Sequence, residues 1–409
     1  MPFVGLFLLH SILNLIMVKG YGESEFWLSS GKVLLIVILF MFTFVTMVGG
    51  NPQHDAYGFR NWNDPGAFAK YLHPERSQLA KFEGFLAALW AALYTCVGPE
   101  YISIVAAEAK HPRVYIKKAF ITAYWRFGVF FVGSALCCGI LVAYNDPILV
   151  SVSTGETEGG GSAASPYVMA MSNMGINVLP HIVNALLVTT VFSAGNTYTY
   201  CATRSLYGLS CDGKAPRILR KCTKQGVPIY CVAVVMLFPF LSFLQMSSSS
   251  SQVLTWLMDL TTASAIIDYI VMCGTFIAFY RAASVQGFDR SKLSYHGWMQ
   301  PWCAGVGLVW MTIMVLCYGY DSFTPWNAVT FFTHYSMHIF CFLAFAGWKL
   351  IKQTRFLQPH ELDLTCGGSA QLITAYEEAA YLDDPPVGFW RDVVQYFRIS
   401  PKKRGHSAA

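Results

Sequence analysis

The chain has 409 residues, of which 55% are apolar and only 12% are Asp, Glu, Lys or Arg, about half the charged share of an ordinary soluble domain. A water-facing shell cannot be built from so few charges; with 15% aromatic residues and a mean hydropathy of +0.43, the composition excludes a soluble enzyme, a disordered chain and a coiled coil. The net charge of +5 is too small and too scattered to point to nucleic acid.

A helix needs about 20 mostly apolar residues to cross the hydrocarbon core of a bilayer. Measured against that length, nine stretches are expected to span: Phe3–Val18, Phe26–Val48, Gly84–Ala107, Phe120–Tyr144, Asn177–Cys201, Val227–Met246, Val253–Tyr280, Trp302–Tyr320 and Val329–Leu350. No basic region precedes the first stretch and no small-residue cleavage site follows it, so a removable signal peptide is not expected. Lysine and arginine gather on the cytoplasmic side of membrane proteins. The connections 108–119, 202–226 and 281–301 and the tail after Leu350 carry four, six, three and seven of them, whereas 145–176, 247–252 and 321–328 carry none. This alternation predicts a cytoplasmic tail. Segment 49–83, assigned outside, breaks the pattern with Arg60, Lys70, Arg76 and Lys81, although long loops obey the rule poorly. The 12 cysteines form no C-x-x-C pair and lie mostly in apolar runs, so they read as small packing residues.

The third span contains Val97-Gly98-Pro99-Glu100. Proline lacks an N–H and clashes with the preceding turn, and glycine resists unwinding least, so the helix is expected to break near Val97–Glu100. Backbone groups freed inside a membrane are tolerated only against protein or a watery cavity. A cavity and a simple proline kink both remain open on this pattern alone. Glu100 lies in the middle of the span, where an acid faces the bundle interior; it reads as a proton carrier or as a tie between helices. Glu108 is expected to form a surface ion pair beside Lys110 and Arg113, and Arg126 and Lys32 to reach out to the interface. Asp259 and Asp268, nine residues apart, fall on opposite faces of an ideal helix, with Asp268 the deeper and a second titrating candidate. His334 and His338 share a face but have no further ligands placed by sequence, so they read as structural and no metal is expected. No nucleophilic triad, Walker sequence or zinc signature is present; the chain is not expected to be an enzyme and implies no cofactor.

Specific residues carry a resemblance. Val18-Lys-Gly-Tyr-Gly-Glu-Ser-Glu-Phe26, Asn63-Asp-Pro-Gly-Ala-Phe68, Gly98-Pro-Glu100 with Ala106-Ala-Glu108, Pro112-Arg113 followed by Trp125-Arg126, Leu141-Val-Ala-Tyr-Asn-Asp146, Ala163-Ala-Ser-Pro166 and Phe192-Ser-Ala-Gly-Asn-Thr197 occur in order. The ordered set resembles fungal amino-acid permeases over nearly the whole chain. The resemblance implies an all-α integral membrane transporter with two inverted five-helix repeats, of which this chain corresponds to helices four to twelve, with the first three absent. It further implies a membrane domain over 1–350 and a cytoplasmic tail over 351–409.

By the same resemblance, Tyr94, Thr95, Cys96, Val97 and Gly98 at the break, Asn196 and Tyr198 in the eighth family helix, and Thr261 in the tenth line the substrate, and Glu100, matching the family glutamate after the break, couples protons; Asp268, from its depth in the span, is a second proton-coupling candidate or a partner in a polar pairing. Pro99 stands where the family usually has a small or hydroxyl residue, and Asp259 and Asp268 add acids where the common pattern is uncharged. The implied activity is proton-coupled amino-acid symport at the plasma membrane, with an amino acid, protons and the lipid bilayer as partners and trafficking or ubiquitination machinery at the tails. A sensor of the same fold and a non-functional fragment are the alternatives.

Overall fold

The computed structural model describes residues 10, 18–71, 75, 77–96, 98–106, 108–109, 111–154, 165–241, 250–293, 295–297, 299–323, 326–365 and 369–383. Among them every regular element is helical. The first expected span lies outside the described residues except for Val18 and for His10, whose Nε2 is 3.0 Å from the Phe192 carbonyl.

α1 (Val18–Met47) is the helix of the second expected span. Its Leu35, Leu39 and Phe42, spaced i, i+4, i+7, form one buried face. That face packs on Leu141, Val142, Val168, Met171 and Val183. The third span divides into α2 (Ser77–Thr95) and α3 (Tyr101–Val105). The fourth begins with Pro112 in the first turn, where a missing N–H costs nothing, and runs as α4 (Pro112–Arg126) through a π-helical stretch, Phe127–Val132, into α5 (Gly133–Leu141). Two short helices, α6 (Pro147–Thr154) and α7 (Pro166–Asn173), fold within the long connection that follows.

α8 (Leu179–Cys211) has 33 residues and is about 50 Å long, more than a bilayer core requires. Ser193, Asn196, Tyr200, Thr203 and Ser210 are all buried on it and recur at three-, four- and seven-residue steps. This polar stripe faces inward, the reverse of a soluble amphipathic helix, because lipid is the solvent outside. α9 (Ile229–Val235), α10 (Ser250–Val285), α11 (Trp302–Tyr318) and α12 (Ala328–Lys352) complete the membrane part. Phe340, Phe342, Leu343, Leu350 and Ile351 on α12 are exposed, and the one buried residue of that helix is His334. Exposed apolar surface of this extent requires a hydrocarbon surrounding.

Four described helices are long and apolar enough to cross a membrane: Gly22–Met47, Pro112–Leu141, Thr255–Val285 and Ala328–Lys352. Ile229–Leu241 and Trp302–Cys317 are shorter apolar helices. The tail carries α13 (Ser369–Asp383), which folds back onto α4: Arg113 Nε lies 2.7 Å from Glu377 Oε2, and its Nη2 donates to Thr374 Oγ1 at 2.9 Å.

Outside the spans, Arg60 grips Asp55 with two hydrogen bonds of 2.9 and 2.7 Å, and this contact holds the Asp55 carboxyl below its ordinary value. The described cysteines are free thiols.

Candidate functional site at the broken helix

α2 ends at Thr95 and α3 starts at Tyr101, and the helix is interrupted at Gly98 between them. Gly98 has φ +132°, a conformation open to glycine and closed to residues with a Cβ. Its N–H, released from the helical ladder, donates to both carboxylate oxygens of Glu100 at 3.1 and 3.0 Å. The Cys96 carbonyl accepts from the Tyr269 hydroxyl of α10 at 3.3 Å, and the same hydroxyl donates to Glu100 Oε2 at 2.9 Å. One acid and one phenol thus partner the Gly98 amide and the Cys96 carbonyl, as an apolar surrounding demands. Asp268, next to Tyr269, lies within electrostatic reach of Glu100.

A cavity of about 650 Å³ opens along the other side of the break, between α1, α3, α4 and α8. Gly98, Pro99 and Tyr101 form one wall and Tyr198 another, with the Tyr101 and Tyr198 rings edge to face at 5.6 Å. Phe127 and Phe131, stacked at 5.2 Å, line it from the π-helical stretch, where the wider turn aims both rings the same way. The charged wall comes from α1, with Arg126 added from α4. Lys32 Nζ lies 3.2 Å from Glu25 Oε1 and donates to Ser193 Oγ at 2.6 Å, while the Ser193 hydroxyl also bonds Glu25. The cavity therefore offers aromatic faces, an ion pair and an irregular backbone, the equipment to hold a small zwitterion.

The structure brings together only part of the expected set. Gly98 and Tyr198 line this cavity. Cys96 and Glu100 belong to the break but are not among the lining residues, and Glu100 turns its carboxylate to the Gly98 amide and Tyr269. Tyr94 and Thr95 are exposed in the last turn of α2, with the Thr95 hydroxyl returned to the Ala91 carbonyl at 2.9 Å. Val97 lies outside the described residues. Asn196 is fully buried in the polar stripe of α8. Thr261 is exposed, with its hydroxyl on the Leu257 carbonyl at 2.9 Å, and does not line this cavity.

Two expectations for charged residues change. Lys32 does not reach for the interface: the buried Ser193 and the neighbouring Glu25 draw it inward. Among the described residues Glu108 pairs with Arg204 Nε at 2.7 Å and accepts from the Tyr200 hydroxyl, while Arg113 pairs with Glu377 and Lys110 lies outside the described residues. Arg204 and Tyr200 lie one helical turn apart on α8, so Glu108 ties the end of the broken helix to the polar stripe. Glu25, Lys32, Ser193 and Tyr269 had escaped notice as site residues. The signal for Lys32 and Ser193 was a charge or hydroxyl within an apolar span, and Glu25 lies just before one.

Comparison with known proteins gives this geometry a context. A family model described as amino acid permease matches residues 3–361. The chain belongs to the amino acid permease family. It is 44% identical over 366 residues to General amino acid permease AGP2 of Saccharomyces cerevisiae, covering 87% of this chain and 61% of that protein. The Dicarboxylic amino acid permease of the same yeast is 36% identical over 354 residues, covering 86% and 58%, and the Proline-specific permease of Emericella nidulans 35% over 359 residues, covering 87% and 64%. The chain spans about three fifths of the length of these relatives. No solved structure matches it. As a member of this permease family it is an all-helical integral membrane protein.

Proposed function

We propose that the protein is a secondary transporter that moves an amino acid, together with protons, by alternating access around the broken helix. The observation that carries this reading is the break itself, a backbone held open at Gly98 beside a cavity lined by aromatic rings and by the Lys32–Glu25 pair. Transporters place substrate at discontinuous helices near the midplane, between inverted repeats, and the five-plus-five arrangement is part of the proposal. Glu100 is the proposed proton carrier, with Asp268 beside it. Protonation removes the charge that strengthens the Gly98 and Tyr269 hydrogen bonds and so loosens the clamp between α2, α3 and α10. The substrate site is proposed at Gly98 and Tyr198, with Tyr94, Thr95, Cys96, Val97, Asn196 and Thr261 as flanking positions. We assign residues 1–350 to the membrane domain and 351–409 to a cytoplasmic tail at the plasma membrane, where trafficking or ubiquitination machinery would engage it.

The test is uptake of labelled amino acids into proteoliposomes with and without an imposed pH gradient. Glu100→Gln is expected to abolish gradient-driven accumulation and to spare part of the exchange between internal and external substrate. Undiminished accumulation would remove Glu100 from the mechanism. One observation favours a second reading, a sensor of the same fold. α13 in the tail is fastened to α4, the helix that follows the broken one, which joins the tail mechanically to the cavity wall. Saturable amino-acid binding without uptake would select the sensor.

A further inference from the structure

α4 brings a second cation into the cavity beside the break. Ala123, Arg126 and Phe127 all line it and are spaced i, i+3, i+4, so they share one helical face and Arg126 is turned to the cavity with its neighbours. Arg126 stands 14 residues after Pro112 and 15 before Leu141, in the middle of a helix long and apolar enough to cross a membrane. At 1.5 Å per residue it lies roughly 20 Å from either end of that helix. A guanidinium keeps its proton under all physiological conditions, and a charge at such a depth is costly and tends to mark a functional position.

The charges on the wall do not balance. Glu25 is the one acid among the described lining residues, and it is already engaged by Lys32, 3.2 Å from its Oε1, and by the Ser193 hydroxyl. Among the described residues Arg126 forms no ion pair, and its side chain is exposed, so its head group is open to an occupant. A guanidinium presents parallel N–H groups that match the two oxygens of a carboxylate. An amino acid with an uncharged side chain brings one carboxylate and one ammonium and leaves the surplus on the wall unchanged. A cationic side chain adds to that surplus. An acidic side chain supplies the charge that is missing, and the volume of about 650 Å³ accommodates any of the three.

We infer that the cavity takes an α-amino acid with an acidic side chain, whose second carboxylate is held by Arg126; this rests on the reading of the cavity as the amino-acid site. The Glu25–Lys32 pair faces the ammonium and carboxylate common to all amino acids, while the Phe127 ring covers the methylene groups between the two ends. Arg126 is thus the residue that sets the preference among amino acids.

The test is calorimetric binding of L-glutamate, L-glutamine and L-lysine to the purified full chain in phosphatidylcholine nanodiscs at neutral pH and constant ionic strength. Glutamate and glutamine have nearly the same shape and differ by one charge. Glutamate is expected to bind saturably and at least about tenfold more tightly than glutamine, with lysine weaker still, as the loss of one partner of a shielded charge contact predicts. Arg126→Gln is expected to weaken glutamate at least about tenfold and to leave glutamine within about twofold. Arg126→Lys, which keeps the charge but not the fork, is expected to retain part of the preference. If circular dichroism shows that Arg126→Gln does not fold, the comparison of glutamate with glutamine on the unaltered chain still decides. Equal affinities there, tighter binding of glutamine or lysine, a preference that survives Arg126→Gln, or equal weakening of glutamate and glutamine by that variant would overturn the inference and leave the amino-acid site standing. Saturable binding of none of the three would overturn the inference together with the reading beneath it.

Discussion

The Gly98 amide is where local chemistry and function meet most closely. A side chain at φ +132° is strained, so Gly98→Ala is expected to cost about 1–3 kcal/mol and to lower substrate binding, measured by thermal unfolding and by ligand titration of the same preparation. Tyr269→Phe removes the donor shared by Glu100 and the Cys96 carbonyl, at an expected cost of about 1–3 kcal/mol in the same unfolding assay. The first position was legible because glycine followed by proline announces a break within four residues. The second was not: Tyr269 acts on a partner 169 residues away, and a tyrosine in an apolar span carries no local mark. Asp55 supplies a pH dependence. Arg60 lowers its carboxyl below the usual 3.8, so the pair supports the 51–60 turn above that pH and is lost as acidity carries the folded group through its own, lower value. Hydrogen exchange across 51–60 is expected to rise at strongly acid pH, and Asp55→Asn to raise it already at neutral pH.

Helices were the most legible level, because hydropathy measures directly what lipid requires. The second to ninth expected spans fall on α1, the α2–α3 pair, α4–α5 and α8 to α12, and the break falls where Gly98 and Pro99 place it. Pairing between elements was not legible. Glu108 has basic neighbours at 110 and 113, yet its partner among the described residues is Arg204, because the polar stripe of α8 presents a guanidinium and a phenol to an acid already half withdrawn from water. Glu108 and Arg204 side chains are 24% and 14% exposed, so losing either leaves a partly buried charge unpaired. Glu108→Gln and Arg204→Gln are each expected to destabilise by about 2 kcal/mol, less than a fully buried pair would lose. The double variant is expected to recover about 1 kcal/mol of the summed loss in a double-mutant cycle. A strictly additive cycle would mean that the two residues act apart. Lys32 illustrates the same limit: its length permits it to reach the interface or to turn inward, and Ser193, 161 positions away, decides between them.

At the scale of the whole molecule, membership of the amino acid permease family and the cavity beside the break point the same way. Of the expected substrate positions Gly98 and Tyr198 line the cavity, whereas Tyr94, Thr95, Cys96, Asn196 and Thr261 do not: a resemblance assigns positions along a helix, and which of them reach a wall depends on how the helices pack. The central claim is that the space bounded by Gly98, Pro99, Tyr101 and Tyr198 is where an amino acid sits. Ala194 lines that space, and a cysteine there changes the volume little. The decisive measurement is the rate at which a water-soluble thiol reagent modifies Ala194→Cys in a background with the native cysteines replaced, with a panel of amino acids present or absent. Modification that at least one amino acid slows in proportion to its occupancy is the predicted result. A cysteine that the reagent reaches at the same rate whatever amino acid is present, or never reaches, would contradict the account.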